Sequence, residues 1–198
     1  MVYKGELIAS GEAKAVRSSL EDVWSLKGTK LADALESIYL RVSALRKWKD
    51  KFDKKFNLHF DGEFLIKSKG GVQKLQGTGG HNHSVIGENI RVRKYLTQPK
   101  NNIPFDALIS VRYSARKGYG RWIEKQAKSS MFPTNWDITR VKQEIALVYE
   151  KMIQSSKFDE IKNMKSPKYK NLDSNNKFEI VIEFDQFGNL TNAYPNIR

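Results

Sequence analysis

The sequence predicts an α+β fold in which an N-terminal helical segment precedes a twisted antiparallel β-sheet core with one prominent helix. Apolar residues recur at spacings of three and four before residue 57, which is typical of amphipathic helices. Short alternating segments and glycine-containing turns follow, and one long amphipathic stretch interrupts them. We therefore divide the chain into an N-terminal helical segment, 1–56, and a second part, 57–198, that contains the sheet.

The N-terminal segment is predicted to be helical from Ser18 to about Phe56. Gly28-Thr29 indicates a break and a new N-cap between two apolar stripes. The second stripe consists of Leu31, Leu35, Ile38, Val42, Leu45 and Trp48. A basic run, 46–55, closes the segment, and we interpret it as a solvated helix face, with direct RNA contact as the alternative.

The second part contains several candidate strands and one clear helix. The strands are predicted at Gly62–Ile66, Asn89–Tyr95, Asp106–Ser114 and Arg121–Lys128. The helix is predicted to begin at Thr134 or Asn135, with Asp137 in its first turn, and to end near Ile153. Its apolar face consists of Ile138, Val141, Ile145, Val148 and Met152.

The C-terminal region is predicted to be a loop followed by a hairpin. The stretch Ser155–Asn176 is polar and lysine-rich and is interpreted as a long loop or insertion. Alternating apolar residues over Phe178–Phe184, turn residues over Asp185–Asn189 and a returning segment Leu190–Pro195 are typical of an antiparallel hairpin.

The composition favours a polyanionic partner. Lys and Arg number 35 against 22 Asp and Glu, which gives a net charge of +13 and a pI near 9.8. Nucleic acid is the first candidate, and a membrane surface or an acidic protein is the competitor. No apolar run is long enough to span a membrane.

The absence of cysteine excludes disulfides, thiolate chemistry and zinc fingers. The first ten residues lack the pattern of a signal peptide.

The candidate catalytic residues begin with the three histidines, His59, His81 and His83. Histidine is the natural acid or base near neutral pH, although each one alone is more often an ordinary surface residue. His81 ends a run of small residues, 77–80, whose backbone can approach a phosphodiester and donate amide hydrogens to it. The contiguous His-Asn-His at 81–83 differs from HNH nucleases, whose residues lie far apart, and no carboxylate cluster supports a metal.

Four segments resemble, in order, the motifs of bacterial EndoU-type ribonucleases, which are C-terminal toxin domains of polymorphic and contact-dependent inhibition proteins. The segments are His59-Phe60-Asp61-Gly62-Glu63, Gly79-Gly80-His81, Lys128-Ser129-Ser130-Met131-Phe132-Pro133-Thr134-Asn135-Trp136, and Gly188-Asn189-Leu190-Thr191-Asn192-Ala193-Tyr194-Pro195. They cover roughly residues 57–195. The Phe-Pro-x-x-Trp and terminal Tyr-Pro pieces are the most specific, although a packed helix entrance would also explain Phe132, Pro133 and Trp136.

The resemblance implies a site and a fold. It makes His59, His81, Lys128 and Tyr194 catalytic, without metal or cofactor, in an EndoU/barnase-like ribonuclease architecture. Thr191 and Asn192 would bind substrate together with His83, although Asn192 stands where the family usually has threonine. Without the resemblance, Lys128 is one of many solvated lysines and Tyr194 is a core aromatic residue.

The implied activity is metal-independent cleavage of RNA, with tRNA one possible target. Two histidines and a lysine allow the ribose 2′-hydroxyl to attack and leave a 2′,3′-cyclic phosphate. Such toxins are secreted or delivered effectors that act in the cytoplasm of a target cell, and a cognate, acidic immunity protein inhibits them. The alternatives are a non-catalytic nucleic-acid-binding module, a metal-dependent DNase toxin and a purely structural interaction domain.

Overall fold

A computed structural model describes residues 29–114 and 120–197 and confirms the α+β class. Four α-helices are present in these residues: α1 (Thr29–Trp48), α2 (Lys54–Asp61), α3 (Ile138–Gln154) and α4 (Phe158–Ile161). The strands are β1 (Glu63–Lys69), β2 (Val72–Thr78), β3 (Ile90–Tyr95), β4 (Phe105–Ser114), β5 (Gly120–Glu124), β6 (Ser129–Met131), β7 (Lys168–Leu172), β8 (Glu179–Phe184) and β9 (Leu190–Asn196). Short 3-10 helices lie at Lys49–Lys51 and His83–Val85.

The strands form three antiparallel sheets. The first sheet is the hairpin of β1 and β2. In the second sheet β3, β4 and β5 pair in that order, and β6 pairs with the first half of β4. In the third sheet β7, β8 and β9 pair in sequence order. We call β1 to β6 the sheet lobe, and the four helices with β7 to β9 the helical lobe. β6 and β9 contact each other, as do α2 and β9, so the two lobes meet along β9.

The apolar cores follow the predicted periodicities. The larger core belongs to the helical lobe, where α3 contributes Val141, Ile145, Val148 and Met152 and β8 contributes Ile180, Ile182 and Phe184. The smaller core belongs to the sheet lobe, where alternate residues of β4 are fully buried. Fully burying such a side chain contributes about 1.5–3 kcal/mol. These faces fix the positions of α3, β4 and β8.

Helix α3 begins later than predicted. The structure starts it at Ile138, and Asp137 is its N-cap, whose carboxylate accepts from the backbone N–H of Arg140 at 2.6 Å. Asp137 is extended (φ −70°, ψ 169°), so it precedes the helix rather than lying in its first turn. The N-cap bond satisfies an N–H group that the first turn leaves unpaired.

Three further predictions require correction. The stretch 155–176 is not a single loop, because it contains α4 and β7, whose alternating burial marks an edge strand of the C-terminal sheet. The strand predicted at Gly62–Ile66 extends to Lys69 and pairs with β2, which was not predicted. The strand predicted at Arg121–Lys128 ends at Glu124, and β6 follows it. Polar composition concealed β2 and β7, since only part of each strand is buried.

The N-terminal segment is helical where the structure describes it, and α1 packs against α3. Arg41 is buried and donates to Gln143 at 3.2 Å, and the Ser37 hydroxyl donates to the Ser174 carbonyl. The first apolar stripe, with the Gly28 break, falls in residues 1–28, outside the described part of the chain. Within the described part, no helix combines the length and apolar character that crossing a membrane requires.

Candidate functional site

The site begins where the glycine turn after β2 meets the C-terminal end of α2. The backbone N–H of Gly80 donates to the carbonyl of His59 at 3.0 Å. The N–H groups of His81 and Asn82 both donate to the Phe60 carbonyl, at 2.9 and 3.2 Å. The turn thus caps the carbonyls that α2 leaves unpaired at its end. Main-chain bonds therefore bring the segments of His59 and His81 together.

This capping corrects one expectation about the turn. The amides of residues 80–82 were expected to donate to a phosphodiester, but α2 occupies them. Glycine is required at positions 79 and 80, where φ is +65° and +77°. A Cβ at Gly79 would overlap the His59 carbonyl, and a Cβ at Gly80 would lie 2.5 Å from Ile109 Cδ1. The glycines serve close packing against α2 and β4.

His81 is buried, with 5% of its surface exposed. Its Nδ1 lies 2.8 Å from the carbonyl oxygen of Ser130, on β6. A carbonyl only accepts, so Nδ1 carries the hydrogen and Nε2 presents a lone pair. Burial, followed by positive charge on Lys125, lowers the pKa of His81 to about 3, although the hydrogen bond to Ser130 opposes this shift. The ring is therefore neutral at pH 7.

His59 lies on α2 and is more exposed than His81. Its Nδ1 lies 2.8 Å from a carboxylate oxygen of Glu63, the first residue of β1. That contact leaves Nε2 as the ring nitrogen available to a substrate. The two histidines consequently differ in their Nδ1 partners, which are a carboxylate for His59 and a neutral carbonyl for His81. A carboxylate partner stabilises positive charge on an imidazole ring, whereas a carbonyl does so much less.

Tyr194 comes from β9 and stacks on His81, with ring centroids 5.4 Å apart and planes 28° apart. Its hydroxyl donates to Glu183 at 3.1 Å, and Lys168 forms an ion pair with the same carboxylate oxygen at 2.6 Å. Burial, followed by the negative charge of Glu183, raises the pKa of Tyr194. The tyrosine is therefore a neutral phenol whose ring and hydroxyl are both held in place.

Two polar residues, Thr191 and Asn192, precede Tyr194 on β9. The register of β9 against β8 shifts here, because Asn192 pairs with Glu183 and Leu190 pairs with Phe184, which leaves Thr191 as an extra residue between them. Thr191, Asn192 and Tyr194 are all partly exposed, whereas Leu190 and Ala193 are buried. The amide of Asn192 lies 3.5 Å from Glu183, its cross-strand neighbour, which also accepts from the Tyr194 hydroxyl.

Two lysines lie near the site in different environments. Lys128 immediately precedes β6, two residues before Ser130, and its ammonium group pairs with Asp106 at 2.6 Å. Its side chain is 52% exposed. Lys125 was not predicted to be a site residue. Its side chain is buried, and its ammonium group donates to the Gly79 carbonyl at 2.7 Å. Burial lowers the pKa of Lys125 to about 8. In the sequence it is one lysine among many.

His83 begins the 3-10 helix after His81 and is half-buried. Burial lowers its pKa, and a hydrogen bond from the ring to the backbone of Thr134 opposes that effect. It therefore lies beside the segment that enters α3. Its neighbour Asn82 donates to Asp61 at 2.7 Å and fixes the turn to α2. Within residues 29–114 and 120–197, no three His, Asp or Glu side chains are arranged to hold a metal ion.

The structure thus gathers three of the four predicted catalytic residues. His59, His81 and Tyr194 meet where α2, the glycine turn and β9 converge, and Lys128 stands at the start of the strand that holds His81. Glu63 and Glu183, which hold His59 and Tyr194, were not singled out from the sequence. Glu63 is the fourth residue after His59 and lies in the same motif, whereas the bond from Tyr194 to Glu183 joins two strands and no local pattern reveals it.

Comparison with known proteins identifies one family. The bacterial EndoU nuclease family matches residues 53–197, which is most of the chain and includes every element from α2 to β9. No curated protein and no solved structure matches the chain. The matched range contains both histidines, the glycine turn and Tyr194. The chain therefore belongs to the bacterial EndoU nuclease family.

Proposed function

We propose that this nuclease is a metal-independent endoribonuclease that cleaves RNA by 2′-hydroxyl attack and leaves a 2′,3′-cyclic phosphate. The observation that carries the proposal is the pairing of two histidines whose Nδ1 atoms have different partners, Glu63 for His59 and the Ser130 carbonyl for His81. Transphosphorylation needs one group that removes a proton and one that supplies a proton. Two rings with different Nδ1 partners are proposed to supply one group each.

His81 is proposed as the general base. Its Nδ1 hydrogen is committed to the Ser130 carbonyl, which leaves the Nε2 lone pair to accept the proton of the 2′-hydroxyl. His59 is proposed as the general acid, since Glu63 compensates the positive charge that an imidazolium ring carries before it gives up a proton. Protonation of the departing 5′-oxygen completes the cleavage.

Lys128 and Tyr194 are proposed to act on the phosphate and the nucleoside. Lys128 is exposed and bound to a single carboxylate, so its ammonium group can turn toward a phosphorane oxygen. Tyr194 offers a fixed aromatic face beside His81, and Asn192 offers an amide on the same strand face. Unpaired nucleosides bind to such combinations of stacking and hydrogen bonding.

The biological role that we propose is that of a toxin in interbacterial competition, delivered into the cytoplasm of a target cell, where tRNA is one candidate substrate. A cognate immunity protein would protect the producing cell. The net charge of +13 favours an acidic inhibitor, because opposite charge accelerates association and selects the partner.

The test is cleavage of a labelled single-stranded oligoribonucleotide by the purified protein in EDTA. We expect cleavage without added metal, a product that ends in a 2′,3′-cyclic phosphate by mass spectrometry, and no cleavage where 2′-deoxyribose replaces ribose at the cut. His59→Ala and His81→Ala should each lower kcat/KM about 10²–10⁴-fold. His83→Ala should have a smaller effect, below about tenfold.

Circular dichroism of each variant separates lost chemistry from lost folding. Cleavage only after addition of a divalent ion, or cleavage of plasmid DNA in preference to RNA, would overturn the proposal in favour of a metal-dependent DNase. Binding of RNA without any cleavage would favour the nucleic-acid-binding module.

A further inference from the structure

A groove lies between β2 and β5, outside the histidine site. It has a volume of about 490 Å³, and its walls are residues 73–76 of β2 and 121–124 of β5, with Gln126 at one end. The two strands belong to different sheets, so their facing edges are not paired with each other in a ladder. At Gly77 the strands close together, because a Cβ there would lie 3.0 Å from the Ile123 carbonyl and 3.1 Å from the Lys125 amide.

The groove combines positive charge, an indole and several amides. Lys74 and Arg121 are both exposed, one on each wall of the groove. Trp122 follows Arg121 on β5 and is half-buried. Gln73, Gln76 and Gln126 add groups that both donate and accept. The single acidic residue of the lining, Glu124, is paired with Arg93 at 3.2 Å. Proteins bind single-stranded nucleic acid with positively charged side chains that contact the phosphates and aromatic side chains that stack on the bases.

One strand connects the groove with the histidine site. β2 forms one wall of the groove, and beyond the narrowing at Gly77 the chain continues from Thr78 through the glycine turn to His81. The path from Gln73 to Thr78 along the strand is about 17 Å at about 3.3 Å per residue. A strand of nucleic acid that is cut at His81 can therefore continue along this wall.

We propose that the β2–β5 groove binds a single-stranded stretch of the nucleic-acid substrate beyond the nucleotides at the cut. Lys74 and Arg121 contact phosphates, and Trp122 stacks on an unpaired base. Unpaired bases fit this groove because a duplex hides the faces that an indole needs. The proposal rests on the proposed nuclease function, and it assigns the groove to the recognition of longer substrates.

The first measurement is binding to a catalytically inactive protein. A fluorescent 12-nucleotide single-stranded oligoribonucleotide is titrated into the full chain carrying His81→Ala. In that background, Lys74→Gln with Arg121→Gln should weaken binding and reduce the slope of log K against log salt by about 1.4, at about 0.7 per phosphate contact. Trp122→Ala should weaken binding about 5- to 150-fold, and Trp122→Phe, which preserves a stacking face, should weaken it far less.

The matched control removes the same charge elsewhere. Arg46→Gln with Lys49→Gln lowers the net charge by two at the exposed end of α1. The groove double variant should lose several-fold more affinity than this control. Equal losses in the two double variants would show that the affinity comes from general charge and would overturn the proposal. Unaltered binding in folded Trp122→Ala would overturn it as well.

The second measurement uses the active protein and separates this proposal from the proposed function. We expect the ratio of kcat/KM for the 12-mer to kcat/KM for a dinucleotide to fall about fivefold or more in the groove variants. If the parent protein cleaves neither substrate, the proposed function fails. The binding measurements alone then test whether the groove binds single-stranded nucleic acid. If the parent cleaves both and the ratio is the same in every variant, the groove proposal fails while the nuclease proposal stands.

Discussion

The helical and sheet lobes use their interiors differently. In the described residues of the helical lobe, the central cluster is apolar throughout, and the buried polar residues lie at its edge, where α1 and the segment after β7 cover α3. The sheet lobe has a smaller apolar cluster and buries polar residues beside it, namely His81, Asn82, Asp106, Ser110, Lys125 and Ser129. The sheet lobe thus combines a smaller apolar core with buried polar groups around His81. The larger apolar core lies in the helical lobe, and the site forms where the two lobes meet, with His81 from the sheet lobe and His59 and Tyr194 from the helical lobe.

The strongest test of this division is the contact between the halves. Gly79→Ala would force a methyl group onto the His59 carbonyl in a left-handed conformation. We expect a loss of about 4 kcal/mol or more in the free energy of unfolding, together with loss of cleavage. Gly71→Ala is the control, because Gly71 also has positive φ but open space around it, and it should cost only about 1–2 kcal/mol. Urea denaturation measures the free energy of unfolding of both variants. Equal losses in Gly79→Ala and Gly71→Ala would contradict the close packing of the turn on α2.

One core substitution in each lobe should separate stability from activity. Ile145→Ala, in α3, and Ile109→Ala, in β4, each remove a fully buried side chain. Each should cost about 3 kcal/mol, within the usual range of 2–5. Ile109 supports Gly80, so its loss should also lower kcat in the folded protein, whereas Ile145→Ala should leave kcat within about twofold. A large kcat loss in folded Ile145→Ala would show that the lobes are not separable in this way.

The buried histidine predicts sensitivity to acid. The folded pKa of His81 is about 3, below its ordinary value of 6.5, so folding favours the neutral ring. As pH falls through 6.5 the unfolded chain takes up a proton that the folded chain does not, and stability decreases. Between pH 7 and pH 4.5 this group should remove about 2–3 kcal/mol from the free energy of unfolding. His81→Gln should show a correspondingly smaller loss in parallel denaturation curves.

The buried lysine predicts the same direction, stability that increases with pH, in the alkaline range. The folded pKa of Lys125 is about 8, below the ordinary 10.5, so the charged form is penalised by folding. That penalty is complete below pH 8 and decreases as pH rises toward 10.5, because the folded chain loses its proton first. Stability should therefore increase by about 2 kcal/mol between pH 8 and pH 9.5 from this group. Lys125→Met should lack the increase, and Lys128→Met, the exposed control, should retain it.

The smallest expected effect concerns the hold on Tyr194. Glu183→Gln preserves an acceptor for the Tyr194 hydroxyl but removes the charge that pairs with Lys168. Weakening one such hydrogen bond by about 0.5–1.5 kcal/mol should raise KM about two- to tenfold, with a smaller change in kcat. Glu179→Gln, in the same strand, provides a comparison, because the carboxylate of Glu179 accepts from Asn196 and Lys170. A change in kcat without a change in KM in Glu183→Gln would contradict the role of Glu183 in positioning Tyr194.

Sequence patterns predicted the fold where burial is periodic. The stripe of α3 and the alternation of β8 follow directly from one apolar face, and both are present. β2 and β7 were missed because their sequences, VQKLQGT and KYKNL, contain few apolar residues and each strand is only partly buried. The polar side chains of such strands give no periodic signal.

The site was predictable only in its motif residues. His59, His81 and Tyr194 stand in segments with recognisable neighbours, and the structure brings these three together. Glu63 lies in the His59 motif without being assigned a role there, whereas Glu183 and Lys125 come from other elements and look like ordinary surface charges in the sequence. Their roles depend on tertiary contacts, such as the 2.7 Å bond from Lys125 to Gly79.

The cap on α2 has an evolutionary consequence. The bonds that bring the two histidine segments together run between main-chain atoms of residues 59–60 and 80–82, so proline is the one substitution that removes a donor. Besides the two glycines, packing constrains Phe60, which is fully buried, and Asn82, which donates to Asp61. Descendants of such a nuclease can therefore keep the spacing of their two histidine segments through main-chain bonds while other side chains around the turn change.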